Sequence, residues 1–375
     1  MTVPPSNSPI VERYAQWARS LRLADVPASV SHEARRALLD TLGVITPGVR
    51  HDVTHKTRGV FGSPGPSAAV GGDRCSAGDA ATINGAAAHA YDFDDGSYTG
   101  ILHGSAVIAP AVLSVADELT ASDQDILEAF IVGSEITYSL GVALGHDHYY
   151  RGWWSTATLS LIGATAAVAK LCELDSRRMS DAIGLAVATA GGTRSVFGTD
   201  GKPFLCGFTA RTGVELAKAA ANGITGPDDA FENASGFLRM LNNEEWHEEM
   251  MANLGSRWRL EQPGLLFKRY AACSSAQALV EECALLIHDK GIDPDTVCSV
   301  ECGVPTLVAK ALTYDRPETP QQCQFSIPFG AACGMVYGTF GLEHLDECIV
   351  RENVIERTMA KVTHREDPEL CAPEN

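Results

Sequence analysis

Residues 122–145 read SDQDILEAFIVGSEITYSLGVALG, and this stretch decides the fold class. Ser122 followed by Asp125 is a capping-box pattern, and Ile126, Phe130, Gly133 and Ile136 then recur at helical spacing. The same reading extends outward in both directions. SHEARRALLDTLGVITPG (31–48) predicts a helix capped by Ser31, with Ala34, Leu38, Leu42 and Ile45 on one face and Pro47-Gly48 as its end. LSLIGATAAVAKL (159–171), MSDAIGLAVATAGG (179–192) and TARTGVELAKAAANG (209–223) are rich in Ala and Gly, as expected of buried helices that pack closely. Gly191-Gly192 and Asn222-Gly223 mark helix ends.

The pattern changes after residue 262. DPDTVCSVECGVP (293–305) alternates Cys298, Val300, Cys302 and Val304 on one face, which reads as a half-buried strand and not as a metal-binding cysteine pair. PQQCQFSIPFGAACGMVYG (320–338) leads into a helix, and ERTMAKVTHRED (356–367) reads as a second short strand. The expectation is a mainly α protein: an all-helical domain over 1–262 and a smaller α+β lid over 263–375, the latter ending abruptly. A chain of 375 residues exceeds the ~250–300 at which single cores stop growing, which also argues for two domains.

Composition excludes several classes. A net charge of −18 repels phosphate backbones, so nucleic acid is not an expected partner. The sequence offers no membrane-spanning run and no signal-peptide pattern at its start, which points to a cytoplasmic protein without membrane contact. The eleven cysteines are scattered and odd in number, unlike a disulfide framework. In so acidic a protein, a site for an anion must supply its own local positive charge.

The chemistry concentrates in HAYDFDDGSYTGILHGSAVIAP (89–110). A calcium loop fails here, because Gly96 comes one place early and His103 stands where the closing Glu belongs. A metal site from Asp92, Asp94 and His103 lacks a second His, and neither metal nor cofactor is expected. Acid–base chemistry fits better: histidine is the side chain type whose ordinary pKa lies nearest neutral pH, and a carboxylate, here assigned to Asp92, orients His103. Asp94 and Asp95 are expected to cap helix ends and face water. Lys202, between Gly201 and Pro203 in FGTDGKPFLCG, is expected in an extended turn. Lys268 and Arg269, after the apolar run of PGLLFKRYAAC, lie near the expected domain junction, a favoured place for ligand clefts.

At these residues the chain resembles the MmgE/PrpD family, from about Val11 to Leu370. NGAAAHAYDFDD (84–95) is the strongest signature, followed in order by the GW.STAT, GKP, FKRY..C and QFSIPF pieces. GHDHYYRGWWSTATL (145–159) and PGLLFKRYAAC look closest to the epimerase branch. The resemblance implies a homodimer without cofactor, with the active site between the helical domain and the lid. By motif, Asp92 and His103 carry the proton chemistry, while Lys202 and Lys268 bind substrate carboxylates, with Arg269 beside them and Ser97 near a hydroxyl position. Three positions depart from the pattern: Trp154 and Gln277 replace His, and Phe329 replaces Tyr.

The shared chemistry of such enzymes is making or breaking a C–H bond next to a carboxylate. The expected function is therefore a cofactor-independent lyase, dehydratase or decarboxylase in type, acting on a di- or tricarboxylate. An epimerase or isomerase of an iminodisuccinate-like dicarboxylate uses the same proton step. The lost His and Tyr also fit a catalytically weak binding protein of the same fold. Asp92, His103, Lys202 and Lys268 are expected to converge on one cleft.

Overall fold

The computed structural model describes residues 8–251 and 253–370. Its described residues divide into two compact units: one within 8–90, 94–195 and 203–267, the other within 91–93, 196–202 and 268–370. The continuous part of the second unit thus begins at Lys268, and two short stretches of the N-terminal sequence belong to it.

The first unit is built on the expected helices. Ser122 and Asp125 form the capping box, and the helix they start runs over Asp123–Leu144. It is long and apolar enough to cross a membrane, but its apolar stretch is 83% buried, so it is a core helix of this unit. Helix Ser155–Leu171 packs across it where glycines face each other: a Cβ placed on Gly163 would lie 2.4 Å from the Gly133 carbonyl oxygen. A second tight crossing joins Ala77–Ala88 to Gly201–Ala221, where a Cβ on Gly207 would lie 2.0 Å from the Thr82 carbonyl oxygen. Small residues are what permit these approaches.

Two details differ from the sequence reading. The helix expected to start at Ser31 begins at Ala28 behind Pro27, and Ser31 is buried inside it. The fixed φ of proline, −53 to −55° at Pro9 and Pro27, starts two helices here without a side-chain cap. The unit is also not purely helical, because Pro64–Ala68 and Arg74–Cys75 pair as a short antiparallel ribbon. Gly-Pro-rich sequence hid that ribbon from any alternation rule.

Glu135, fully buried on helix Asp123–Leu144, accepts the backbone N–H groups of Arg259 and Leu260 at 2.8 and 2.9 Å. It thereby anchors the segment leading to Leu266, whose N–H and C=O both bond Gly96 at 2.8 and 3.0 Å. This chain of contacts fixes the start of the loop that carries His103.

The second unit has the expected α+β character. Val300–Val304 and Val362–Glu366 form a parallel pair in register Val300↔Val362 through Val304↔Glu366. Cys302 points inward on its strand while Cys298 is exposed before it. Helices Gln277–Ala284 and Ile327–Tyr337 pack on a core that includes Val280, Ile327, Phe329 and Phe340. The mainly α class holds for the chain as a whole.

Two stability tests follow from this packing. Gly163→Ala forces its methyl against the Gly133 carbonyl and lowers the unfolding free energy by about 1–3 kcal/mol in a denaturant titration; an unchanged midpoint argues against so close a crossing. Burial, which outweighs the two backbone N–H groups, pushes the Glu135 carboxyl up to about 7. Between the ordinary value of 4.5 and 7 the folded state keeps a proton that the unfolded chain releases, so this group's contribution falls as pH rises through that window. Relative to Glu135→Gln, the protein loses on the order of 3 kcal/mol across it. A flat difference between the two unfolding curves contradicts the assignment.

Candidate active site

The connection from His89 to Gly104 is where the helical unit places its ionisable groups. His89 follows the last residue of helix Ala77–Ala88 and is 1% exposed. Its Nδ1 lies 2.8 and 2.9 Å from the two oxygens of Asp94. His103 Nδ1 is 2.8 Å from the Asp95 carbonyl oxygen and 3.3 Å from Asp94 Oδ2. A carbonyl only accepts, so His103 Nδ1 carries a hydrogen and Nε2 is the basic nitrogen. The two imidazoles are 4.9 Å apart, centroid to centroid, with Asp94 serving both.

Asp94 and Asp95 are not the solvated helix caps expected from sequence: both are fully buried. Burial alone would push the Asp94 carboxyl up, but the His89 and His103 imidazoles outweigh it and hold the group far below the usual carboxylate range. Asp94 is a carboxylate that this unit presents to His103. Sequence reasoning left Asp94 in water because D-F-D-D offers three candidates and only tertiary folding separates them.

A tight loop aims His103. Ser97 and Leu102 exchange both backbone hydrogen bonds at 2.9 and 3.0 Å, and Ile101 turns with φ +54°. The backbone N–H of His103 then donates to Thr156 Oγ1 at 3.0 Å, on the first turn of helix Ser155–Leu171. The Ser97 hydroxyl is engaged by Thr99, whose N–H and hydroxyl lie 3.2 and 2.8 Å away, so Ser97 shapes the loop. Trp154, where the family pattern has His, is buried with its ring 5.6 Å from that of His89.

The second unit gathers the positive charge. Asp92 is 1% exposed and sits at φ +47°, a strained conformation that Asp tolerates better than most residues. Its Oδ2 accepts from Lys202 Nζ at 2.9 Å and its Oδ1 from Lys268 Nζ at 2.7 Å; Lys268 also donates to the Asp92 carbonyl. The Lys202 ammonium lies 5.1 and 5.0 Å from the ring centres of Phe197 and Phe325, so cation–π attraction adds to the ion pair. Lys202 occupies the first turn of helix Gly201–Ala221, not an extended turn, because Pro203 is tolerated there without loss of a hydrogen bond. Two ammonium groups thus converge on one carboxylate in a buried place. The neighbouring Cys273 thiol is pushed up by burial and by Asp92, against the pull of the two lysines.

Gln277 holds this arrangement in place. Its Oε1 accepts the N–H groups of Arg269 and Tyr270, and its Nε2 donates to the carbonyls of Tyr270 and Ala272, all within 3.0–3.1 Å. The residue standing in for the family His thus pins the turn that follows Lys268. Phe329, in place of Tyr, is core, packed edge-on to Phe340. Arg269 leaves the candidate site: it is 73% exposed and pairs with Glu281 on the surface.

With fold and geometry in place, comparison with known proteins is decisive. Residues 12–249 match the MmgE/PrpD N-terminal domain and residues 270–374 the MmgE/PrpD C-terminal domain. The chain belongs to the MmgE/PrpD family. Among curated members of that family it is 25% identical over 369 residues to cis-aconitate decarboxylase of Homo sapiens, covering 94% of this chain and 76% of that protein. It is 30% identical over 294 residues to cis-aconitate decarboxylase of Aspergillus terreus, covering 74% of this chain and 60% of that protein. Within the MmgE/PrpD signature NGAAAHAYDFDD, the structure adds His89 and Asp94 to the residues with chemical work. Their sequence signal was present in the H-x-x-D-F-D-D spacing itself.

His89, Asp94 and His103 each offer an atom within 4.8 Å of the others, a donor set that divalent transition ions use. In the structure His89 Nδ1 lies against Asp94, and His103 donates its Nδ1–H to the Asp95 carbonyl.

Removing the carboxylate that shares two lysines tests the charge arrangement. Asp92→Ala leaves two buried ammonium groups facing each other and lowers stability by about 3–5 kcal/mol. A small dicarboxylate such as succinate should raise the melting temperature of the variant more than that of the parent protein; equal shifts argue against an anion-accepting pair.

Proposed function

We propose that this protein is a lyase acting on a di- or tricarboxylate by proton transfer at a carbon next to a carboxylate, without a cofactor. The observation that carries the reading is the pair of buried lysines on one carboxylate. They supply the local positive charge that a protein of net charge −18 otherwise lacks. A substrate carboxylate is held by the two ammonium groups, and the same groups stabilise the negative charge that builds as the C–H bond changes.

His103 is the proton carrier in this reading. In a decarboxylation, carbon dioxide leaves its bonding electron pair on the substrate carbon, and an imidazolium delivers a proton there. In a dehydration, neutral Nε2 removes the proton first, and the imidazolium so formed returns it to the hydroxyl group, which departs as water. Asp94 stabilises the charged ring in either direction. Covalent geometry supports a shared substrate: Asp92 and Asp94 are separated by Phe93 alone, which limits their α-carbons to about 7 Å. The decarboxylase names of the relatives favour a lyase, and cis-aconitate is the first substrate to test. A homodimer belongs to the same reading, and Leu39, Leu42 and Val60 are exposed apolar residues that a second copy would cover.

Proton NMR in D₂O with cis-aconitate, 2-methylcitrate and iminodisuccinate tests this directly. The expected result is deuterium at a carbon next to a carboxylate, with loss of carbon dioxide or water. His103→Ala should slow that exchange ~10²–10⁴-fold while leaving carboxylate binding intact. Exchange without loss of a group reassigns the protein to an epimerase. Binding without exchange makes it a carboxylate-binding member of the family.

A further inference from the structure

We propose that His89 is a positioning residue for His103, acting through the Asp94 carboxylate that both imidazoles share. The inference rests on His103 as the proton carrier of the reaction proposed above, but its first test needs no substrate.

The His89 side chain has no exposed surface, so it does not meet a ligand. Packing alone would explain its ring against Trp154 but not its Nδ1, which lies 2.8 and 2.9 Å from the two oxygens of Asp94. His89 therefore donates to a buried carboxylate that also faces His103. His103 Nδ1 stands between two acceptors, the Asp95 carbonyl at 2.8 Å and Asp94 Oδ2 at 3.3 Å. While His89 holds Asp94, the carboxylate's charge is divided between two rings, and the shorter bond of His103 goes to the neutral carbonyl. Without that donor, Asp94 can turn wholly to His103 and draw its Nδ1–H off the carbonyl. The imidazolium would then be held more tightly and would release its proton less readily. His89 thus tempers the base, keeping His103 able both to take and to give a proton.

Other ionisable groups stand near His103. Asp95 is buried at its carbonyl partner, and the Tyr138 hydroxyl lies against Gly104, within 2.6 Å of where a Cβ would be. Asp92 precedes Asp94 by two residues in the chain. His89→Phe leaves the identity of each of these groups unchanged.

The test is ¹H–¹⁵N imidazole NMR of the full chain, with the His103 signals assigned by their loss in His103→Asn. His89→Phe keeps a ring against Trp154 and removes the donor; it should raise the midpoint of the His103 titration by about one pH unit and shift its Nδ1 resonance. His89→Gln restores a donor and should return both toward the parent values. A folded His89→Phe protein with unchanged His103 midpoint and Nδ1 shift overturns the proposal. If His89→Phe does not fold, Asp94→Asn decides: the His103 midpoint should fall by about one unit or more, and an unchanged midpoint again overturns it. Where a substrate undergoes exchange, the pH profile of that exchange should move with the NMR midpoint in His89→Phe. Imidazole shifts without exchange in the parent protein would reject the proposed reaction and leave the role of His89 standing.

Discussion

One buried carboxylate holding two ammonium groups is the interaction on which the second unit's chemistry depends. Asp92 accepts from both Lys202 and Lys268, so two ammonium groups are held together out of solvent. Such an arrangement is tolerated only where hydrogen bonds and ring faces compensate each charge. Phe197 and Phe325 do so for Lys202, and the Asp92 carbonyl does so for Lys268. Gln277, with its four hydrogen bonds to the turn after Lys268, holds the backbone that makes this geometry reproducible.

The helical unit solves the complementary problem of holding a proton. Its close helix crossings at Gly133/Gly163 and Gly85/Gly207 give a rigid frame, and the loop from Ser97 to Leu102 is closed by its own backbone bonds. On that frame Asp94 is buried between two imidazoles, which keep it ionised despite the loss of water. The three departures from the family pattern read differently once their surroundings are known. Phe329 belongs to a hydrophobic core and Gln277 to a structural clamp. Only Trp154 lies beside the imidazole pair, through His89.

The MmgE/PrpD signatures were legible in the chain, as were the strands at 300–304 and 362–366. Less legible was the division of labour within D-F-D-D. Three aspartates in four positions carry the same chemistry on paper, and sequence reasoning put Asp94 in water, where the fold buries it against two imidazoles. Arg269 shows the same limit, because a basic residue beside Lys268 in the chain points instead to the surface ion pair with Glu281.

Periodicity, capping and small-residue content by themselves determined the helical class and the change to mixed structure in the last third, because these properties act over a few residues and need no distant partner. They also concentrated the chemistry in one connection and marked the two lysines for attention. What only the tertiary structure decided was the pairing: Asp92 with Lys202, 110 residues away, and with Lys268, 176 residues away, and Asp94 with two imidazoles. The strength of an ion pair or a shared proton depends on distance and burial, and neither is written in the order of the residues.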